Sequence, residues 1–509
     1  MSVQTLHDWF HDDIEAPLAR LVGGRERLKV ITLLACVLGL DAADKATVGA
    51  VAAALEHALH IGNIEIGWLV SASTAVGAVV TLPFGVLADQ VDRTRLLTIG
   101  IVVWSVAMLV NGASNSYSML LVSRLFLGAV VGVAGPTVVS LVGDFFRPGE
   151  RGRIFGYILA GELLGVAFGF LISGNIAAIL SWRASFWMLG GIGFILAWVI
   201  RQSLSEPARG GQGRLPSDSK VDKADTKADS GPDHPSGSGK NPARPTQIES
   251  KIESRAIEPH ESLVLKQDPA TLSVWGAARH VLAVRTYRSL LIASALGYFY
   301  FTGLRTFAIV FMRNRFDLGQ AAASSIAVGL GLGAIAGVLL TGRIGDALIQ
   351  RGRLNGRVLM GAAAYLIASA VLVPALLVSS LAVAAPFLFV AAAGIGGANP
   401  AVDSAMLDVM PSGLWGRAEG VRSTLRYALE AMAPPLFGLV ASWFGGRGVT
   451  FGLAAGHDST GGTGLGQAFL VLLVPLAIAG AWLLFPAART YPRDVATAIA
   501  SERAAKTAR

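Results

Sequence analysis

The chain carries, at the end of its second apolar run, the stretch Gly85-Val86-Leu87-Ala88-Asp89-Gln90-Val91-Asp92-Arg93-Thr94-Arg95. A shorter version, Gly342-Arg343-Ile344-Gly345-Asp346, ends the eighth apolar run and is followed by Arg351 and Arg353. A chance match is plausible for one such loop but not for two in corresponding places. The pair therefore predicts that the chain is built from two homologous halves.

The apolar runs between these loops have the length of membrane spans, which need about 20 residues each. The composition agrees, because 53% of the residues are hydrophobic and 15% are charged, whereas soluble proteins carry roughly a quarter charged residues. We predict an all-α membrane protein with twelve transmembrane helices in two pseudo-symmetric six-helix bundles. The spans are predicted at about 29–53, 64–88, 95–113, 117–143, 152–179, 184–201, 288–312, 321–344, 357–378, 381–408, 418–444 and 466–486.

The composition changes sharply between the sixth and seventh spans, where Ser, Pro, Lys, Asp and Gly dominate. Such a stretch buries too little apolar surface to offset its chain entropy, so we predict a disordered cytoplasmic linker at 203–280. The other predicted parts are bundles at 29–202 and 281–488 and a cytoplasmic tail at 489–509. Residues 1–28 lack the pattern of a signal peptide and predict an amphipathic helix on the membrane surface, or a soluble tail helix.

Basic residues are distributed unequally between the two sides of the predicted helices. Short loops on the side of both termini hold eleven arginines and the opposite loops hold four, which predicts cytoplasmic termini and a cell-membrane location. The net charge of +8 is thus explained by topology, and no nucleic acid is expected as a partner. The eleven are Arg93, Arg95, Arg147, Arg151, Arg153, Arg343, Arg351, Arg353, Arg357, Arg417 and Arg422.

The first stretch resembles the signature loop of the major facilitator superfamily, with Asp92 where a second glycine is usual. Arg124, Gly128 and Gly132 in the fourth span, the loop 147–153 and Trp182-Arg183 are also similar to that superfamily. The resemblance covers residues 30–490 apart from the linker. It implies a secondary transporter that works by alternating access around a site between its halves, embedded in the lipid bilayer as a monomer.

The same resemblance implies a gate at the signature loops. It puts Asp89 near Gly416 at the start of the eleventh helix, where exposed amide groups favour a carboxylate. Making and breaking this contact would close and open the cytoplasmic side, while a simple capped turn is the alternative. The predicted gating residues are Gly85, Asp89, Asp92, Arg93, Arg95, Gly342 and Asp346.

Two rows of glycines at four-residue spacing, which we call glycine ladders, predict close helix packing. Gly161, Gly165 and Gly169 share one face of the fifth helix, and Gly329, Gly333 and Gly337 share one face of the eighth. Small residues at this spacing let helices approach closely. The resemblance implies that the two ladders face each other between the halves, either as sliding surfaces or as static packing.

Ionisable residues inside the spans are costly and therefore indicate function. We expect Asp44 to carry protons, with Asp41 as the second candidate; the alternative is that both only pair with Arg124 or Arg426 to hold the bundle together. Arg426 and Glu430 are four residues apart and can pair on one helix. The predicted proton and substrate site comprises Asp41, Asp44, Lys45, Arg124, Glu162, Tyr298, Arg305, Arg426 and Glu430.

Within the superfamily, the first two spans are most similar to the Spinster-like branch of lysophospholipid transporters. The matching residues are Asp44-Lys45-x-Thr47-Val48-x-x-Val51 and Ile66-Gly67-Trp68-Leu69. The resemblance implies proton coupling and a lysolipid substrate. The chain departs from that branch at Lys45, where Arg is usual, and at Val131, where a glutamate is usual, so Glu162 is the candidate substitute.

The sequence leaves other functions open beside transport of a lysolipid. Efflux of a drug or metabolite is the first alternative, and a non-transporting sensor or scaffold acting through the linker is the second. An enzyme is least favoured, because no phosphate-binding loop or nucleophile elbow is present in the sequence. Glu56, His57 and His60 lack a convincing further ligand and Cys36 is the single cysteine, so no metal, disulfide or cofactor is expected.

Overall fold

The computed structural model describes residues 15–61, 63–209, 215, 247–318, 320–445 and 461–507. In these ranges twelve helices occupy the predicted spans and no strand occurs, which confirms the predicted all-α, two-bundle membrane fold. The helices are α1 Arg25–Ala50, α2 Asn63–Gln90, α3 Arg93–Ala113, α4 Tyr117–Val131 with Ala134–Phe145, α5 Arg151–Phe168, α6 Trp182–Ser203, α7 Arg285–Phe316, α8 Gln320–Gln350, α9 Gly356–Leu377, α10 Leu381–Asp408, α11 Trp415–Gly445 and α12 Gly461–Trp482.

Several helices are interrupted where the sequence weakens the helical hydrogen bonds. The break in α4 falls at Gly132 and Val133, because Pro136 has no amide hydrogen to donate to the carbonyl of Gly132. A π-helical turn, Gly169–Ser173, connects α5 to a last short helix, Gly174–Ile179.

Ten of the twelve helices are long and apolar enough to cross a membrane by length and composition, counted over the described residues. The two others are α1 and α11. These two helices carry the intramembrane charges Asp41, Asp44 and Lys45, and Arg426 and Glu430. The two helices that look least like membrane spans thus carry five of the nine residues of the predicted site.

The glycine ladders pack inside their own bundles. A Cβ atom on Gly161 or Gly169 would collide with Ala35 or Ala43 of α1, and one on Gly337 would collide with Ala393 of α10. Next to Gly329 a Cβ would meet no atom within 4 Å. The expectation that the two ladders face each other was wrong, because each lets α5 or α8 approach a neighbour within its own half.

Two glycine–glycine contacts join the halves. Gly85 of α2 lies directly against Gly416 of α11, and Gly152 of α5 lies directly against Gly342 of α8. A Cβ at any of these positions would overlap backbone of the opposite half. The contacts lie beside the loops 91–92, 146–150, 351–355 and 409–414, which together we name the signature-loop face.

The predicted linker 203–280 contains ordered structure at both ends, so its predicted extent was too wide. Residues 204–209 are described, as are the helices Gln247–Ser254 and Val274–Ala283. Ile248 and Ile252 are buried, and they supply the apolar surface that holds the first of these helices in place. The segments 210–214 and 216–246 lie outside the described residues.

The terminal segments also differ from expectation. The predicted tail 489–509 is largely the helix Ala488–Thr507, with Tyr491 and Val495 buried. Of the predicted amphipathic segment 1–28, residues 1–14 lie outside the described residues, and Ala16–Val22 form a short helix.

The structure corrects the sequence-based count of loop arginines. Arg422 lies seven residues inside α11 and is 3% exposed, so it is not a loop residue. Arg93, Arg151 and Arg357 begin or nearly begin helices and are buried as well.

Candidate functional site: two latches and a charged cluster between the halves

The first contact between halves is made by Asp89, and we name it the first latch. The Asp89 carboxylate accepts hydrogen bonds from the backbone amides of Gly416, at 2.8 Å, and Arg417, at 2.9 Å. The Arg417 guanidinium lies 3.8 Å away. These amides open α11 and have no partner within the helix, so a buried carboxylate satisfies them. Asp89 therefore lies where the sequence placed it.

The second latch repeats this contact with the halves exchanged. The Asp346 carboxylate of α8 accepts hydrogen bonds from the amides of Gly152, at 3.2 Å, and Arg153, at 2.7 Å, at the start of α5. Arg357 also donates to Asp346 at 2.7 Å. The shorter motif thus forms a contact equivalent to that of the full signature loop.

Two buried arginines occupy corresponding positions beside the latches. Arg93 at the start of α3 pairs with Asp144 at the end of α4, and Arg357 at the start of α9 pairs with Asp408 at the end of α10. Arg357 also donates to the carbonyl of Pro148 in the opposite half.

Asp92 has a local role. Its Oδ1 accepts a hydrogen bond from the Arg95 amide at 2.7 Å and so caps α3. Asp92 stands where a glycine is usual in the signature loop, and its side chain makes the start of α3 more favourable.

Asp44 and Arg124 form an ion pair within the first half. Arg124 Nη1 lies 2.7 Å from Asp44 Oδ1 and 2.9 Å from Oδ2, and both residues are 1% exposed. The Arg124 guanidinium also lies 5.8 Å from the centre of the Phe186 ring. The pair joins α1 to α4, as the structural alternative for Asp44 anticipated.

A second group of charges lies where the halves meet, and we name it the central cluster. On α1, Lys45 donates to Asp41 at 2.7 Å, and on α11 the Arg426 Nε lies 3.3 Å from Glu430. Glu162 of α5 lies within electrostatic range of both Lys45 and Arg426. The cluster consists of Asp41, Lys45, Glu162, Tyr298, Arg426, Tyr427 and Glu430.

Two tyrosines connect the ion pairs of the central cluster. The Arg426 guanidinium lies 4.6 Å from the ring centres of both Tyr298 and Tyr427, and the Lys45 ammonium lies 5.4 Å from that of Tyr427. Cations stacked on aromatic faces are held in place without being neutralised. Among the described residues, Asp41 Oδ1 and Arg426 Nε are buried and lack a hydrogen-bond partner.

Arg305 and Val131 lie apart from these contacts. Arg305 is exposed and stacks 5.7 Å from the ring centre of Phe301, so the structure does not bring it into the central cluster. Val131 and Asp41 line a small, mainly apolar cavity of about 30 Å³. A glutamate side chain in place of Val131 would therefore share this cavity with Asp41.

Sequence reasoning missed a buried charged group in the second half, which we name the triad. Arg422 donates to Glu419 through Nε and Nη2, both at 2.7 Å, and to Asp403 through Nη1 at 2.7 Å. Arg422 had been assigned to a loop because of its positive charge. The sequence did contain one indication of this group, because Glu419 and Arg422 are three residues apart on one helix and such residues can form an ion pair.

The family profile described as Major Facilitator Superfamily matches residues 33–434 of the chain. Among curated proteins, the probable L-galactonate transporter of Escherichia coli strain K12 is 27% identical over 190 residues. The match covers 36% of this chain and 42% of that relative, so the chain spans less than half the length of this relative.

Two solved structures are similar over nearly their full length. One is a bacterial homologue of the human lysosomal transporter Spinster in an inward-facing, unoccupied conformation, with a TM-score of 0.56, 20% identity and coverage of 91% of this chain and 97% of that chain. The other is the human organic anion transporter MFSD10 (TETRAN), with a TM-score of 0.60, 17% identity and coverage of 90% and 99%. At these identities the likeness establishes the fold alone.

Proposed function

Because the chain belongs to the major facilitator superfamily, we propose that it is a proton-coupled transporter of an amphiphilic, lysophospholipid-like molecule or another small organic substrate. The superfamily consists of membrane transporters, so the chain is a transporter and not an enzyme. The observation that carries the proposal is the central cluster, in which ion pairs from α1 and α11 meet between the halves.

The two latches support alternating access. Both hold the halves together at the signature-loop face, which the arginine distribution assigns to the cytoplasm. In the proposed cycle this arrangement is closed to the cytoplasm, and release of both latches lets the halves separate there. The central cluster then changes the side from which water and substrate reach it.

The charges of the central cluster support a substrate with an acidic group. Lys45 and Arg426 are the available cations, and each is already paired with a carboxylate on its own helix. A substrate anion that binds Arg426 competes with Glu430, because one cation cannot neutralise two buried anions. The cluster then holds one more anion than before, and one of its carboxylates takes up a proton, so that substrate and proton travel together.

Proton uptake within the cluster falls most naturally on Glu162 and Asp41. Glu162 faces Lys45 and Arg426, and Asp41 has one oxygen without a hydrogen-bond partner in the described part of the chain. Asp44 remains a candidate from the sequence. Arg124 Nη1 donates to both of its carboxylate oxygens, so its protonation requires this pair to break.

A flux assay tests the proposal. The purified chain is reconstituted in liposomes with a pH gradient, and uptake is followed for a labelled lysophospholipid and, in parallel, a labelled sugar acid. We expect gradient-driven flux of one of them, lost in Glu162→Gln and retained in Arg305→Gln, the matched control outside the cluster. Flux that ignores the gradient would refute proton coupling, and absence of flux for both probes with folded protein would refute these substrate classes.

A further inference from the structure

The triad of Asp403, Glu419 and Arg422 lies between the first latch and the central cluster. On α11, Gly416 belongs to the latch, Glu419 and Arg422 to the triad, and Arg426 and Glu430 to the cluster. Asp403 reaches Arg422 from α10. All three triad residues are at most 5% exposed, so the group is almost completely shielded from solvent in this structure.

The triad contains one more carboxylate than it has cations. Asp403 and Glu419 share the single guanidinium of Arg422. In the first half, by contrast, Asp44 and Arg124 are paired one to one. A buried charge without a counter-ion is strongly unfavourable. When water is excluded, one of the two carboxylates of the triad must therefore bind a proton.

The hydrogen bonds distinguish the two acids. Glu419 accepts from Arg422 at both oxygens and also from the Ser423 hydroxyl at 2.7 Å. Asp403 makes one contact to Arg422, at 2.7 Å through Oδ1. Ser294 accepts a further hydrogen bond from Arg422 Nη1 at 3.1 Å. Asp403 is therefore the acid less fully compensated as a carboxylate.

The surroundings of Asp403 leave room for a protonated acid. The Tyr365 hydroxyl of α9 is fully buried and has no hydrogen-bond partner in the described part of the chain, and it interacts electrostatically with Asp403 and Arg422. The other titratable or charged groups near Asp403 come from α5, α7 and α11: Glu162, Tyr287, Tyr298 and Arg426.

The seal over the triad is formed by the opposite half. A Cβ on Gly135 of α4 would lie 3.8 Å from Glu419 Oε1, and one on Gly420 would lie 3.1 Å from Leu82 and from the carbonyl of Thr81 in α2. These are contacts between halves, next to the first latch. When the halves separate at the signature-loop face, water reaches the triad.

We propose that Asp403 is a proton-binding site, protonated while the signature-loop face is closed and exchanging its proton with water when α2 and α4 move away from α11. The proton leaves the Asp403 carboxyl for the entering water, and Arg422 then neutralises one carboxylate while water solvates the other. The proposal rests on the proton-coupled transport proposed above and adds a site in the second half.

Infrared difference spectroscopy on the full-length protein in liposomes tests the site without substrate or gradient. A pH change should produce a protonated-carboxyl C=O band that Asp403→Asn abolishes. The band should shift in frequency in Asp403→Glu and keep its frequency in Glu419→Asp. Asp408→Asn, an aspartate of the same helix in another ion pair, is the matched control and should leave the band unchanged.

The outcomes separate this site from the transport proposal. A band that survives in Asp403→Asn, or that shifts in Glu419→Asp instead of Asp403→Glu, overturns the assignment whatever the flux assay gives. Asp403→Glu keeps the carboxyl group, so its frequency shift tests the assignment if Asp403→Asn does not fold. Conversely, flux that does not respond to pH would remove proton coupling from the proposed function but leave the infrared band in place.

Discussion

The first latch joins a carboxylate of α2 to the opening amides of α11, and the second joins a carboxylate of α8 to those of α5. They differ in what surrounds the carboxylate. Asp346 is bound by the buried Arg357, which also holds Asp408 and the Pro148 carbonyl of the opposite half. The Arg417 guanidinium lies farther from Asp89, at 3.8 Å.

The support of the first latch comes instead from the linker. Arg93, the counterpart of Arg357, bonds Asp144 and Glu206 and does not contact Asp89 through any described hydrogen bond. Arg209 donates to the carbonyls of Ala88, Asp89 and Val91 at the end of α2. The comparison teaches that the latch with the shorter motif is the more strongly braced, because a single buried arginine connects it to both halves.

The largest expected effect is on Arg357. Arg357→Met leaves Asp346 and Asp408 without their principal cation, and removing one partner of a buried pair costs about 3–5 kcal/mol. Thermal unfolding in detergent measures the loss. Arg93→Met is the matched variant and should cost less, since Asp89 does not depend on Arg93. An equal loss in both variants would contradict the asymmetry between the latches.

Asp346→Asn should have the next largest effect. It weakens two hydrogen bonds to the start of α5 and one to Arg357, and bonds to a charged group contribute about 1.5–3 kcal/mol against about 0.5–1.5 kcal/mol for neutral ones. We expect about 2 kcal/mol less stabilisation of the closed face. Accessibility of Gly149→Cys, a half-buried position in the loop before α5, to a thiol reagent in a Cys36→Ser background should rise; unchanged labelling argues against the second latch.

Asp89→Asn should have a smaller effect of the same kind. It retains an acceptor for the Gly416 amide but loses the charge at a partly buried helix start, which contributes up to about 2 kcal/mol. Labelling at Gly85→Cys is unsuitable, because this glycine is in contact with Gly416. The rate of reagent access to Ser412→Cys is the measurement, and a larger change than in Asp346→Asn would reverse the proposed order.

Arg209→Gln should have the smallest effect. A basic side chain at the end of a helix contributes about 0.3–1 kcal/mol when exposed, and Arg209 is exposed despite its three acceptors. We expect the first latch to be open slightly more often in this variant. High salt should have the same effect in the parent protein, because salt screens exposed charges. Lys251→Gln is the matched control for the second latch. It removes the equivalent donor, which binds the carbonyls of Ile349 and Gln350 in α8.

The fold and the latch were predictable because they depend on local sequence patterns. Apolar runs of about 20 residues identify spans, and Asp89 lies in a loop whose resemblance to the superfamily's signature loop implies a partner at the start of α11. The glycine ladders were misplaced because their spacing defines a smooth face of a helix and does not identify the helix that covers it. Gly165 meets Gly39 of α1 rather than the opposite half.

The charged residues were only partly predictable. Asp41, Lys45, Arg426 and Glu430 were predicted as charges within the spans. The structure pairs Asp41 with Lys45 and Arg426 with Glu430 at four-residue spacing, and only the second pair had been predicted from that spacing. The meeting of both pairs at Tyr427 depends on tertiary packing. The triad was missed because Arg422 lies close to a loop, where the sequence cannot distinguish a topology signal from a buried ion pair.

Two carboxylate latches, Asp89 and Asp346, hold the signature-loop face closed. Spin labels at the exposed positions Gln90 and Arg351, in a Cys36→Ser background, report the distance between the halves by double electron–electron resonance. We predict one short distance in the parent protein, a minor longer distance in Asp89→Asn or Asp346→Asn, and a dominant longer distance in the double variant. A double variant with the parent's single short distance would contradict the account.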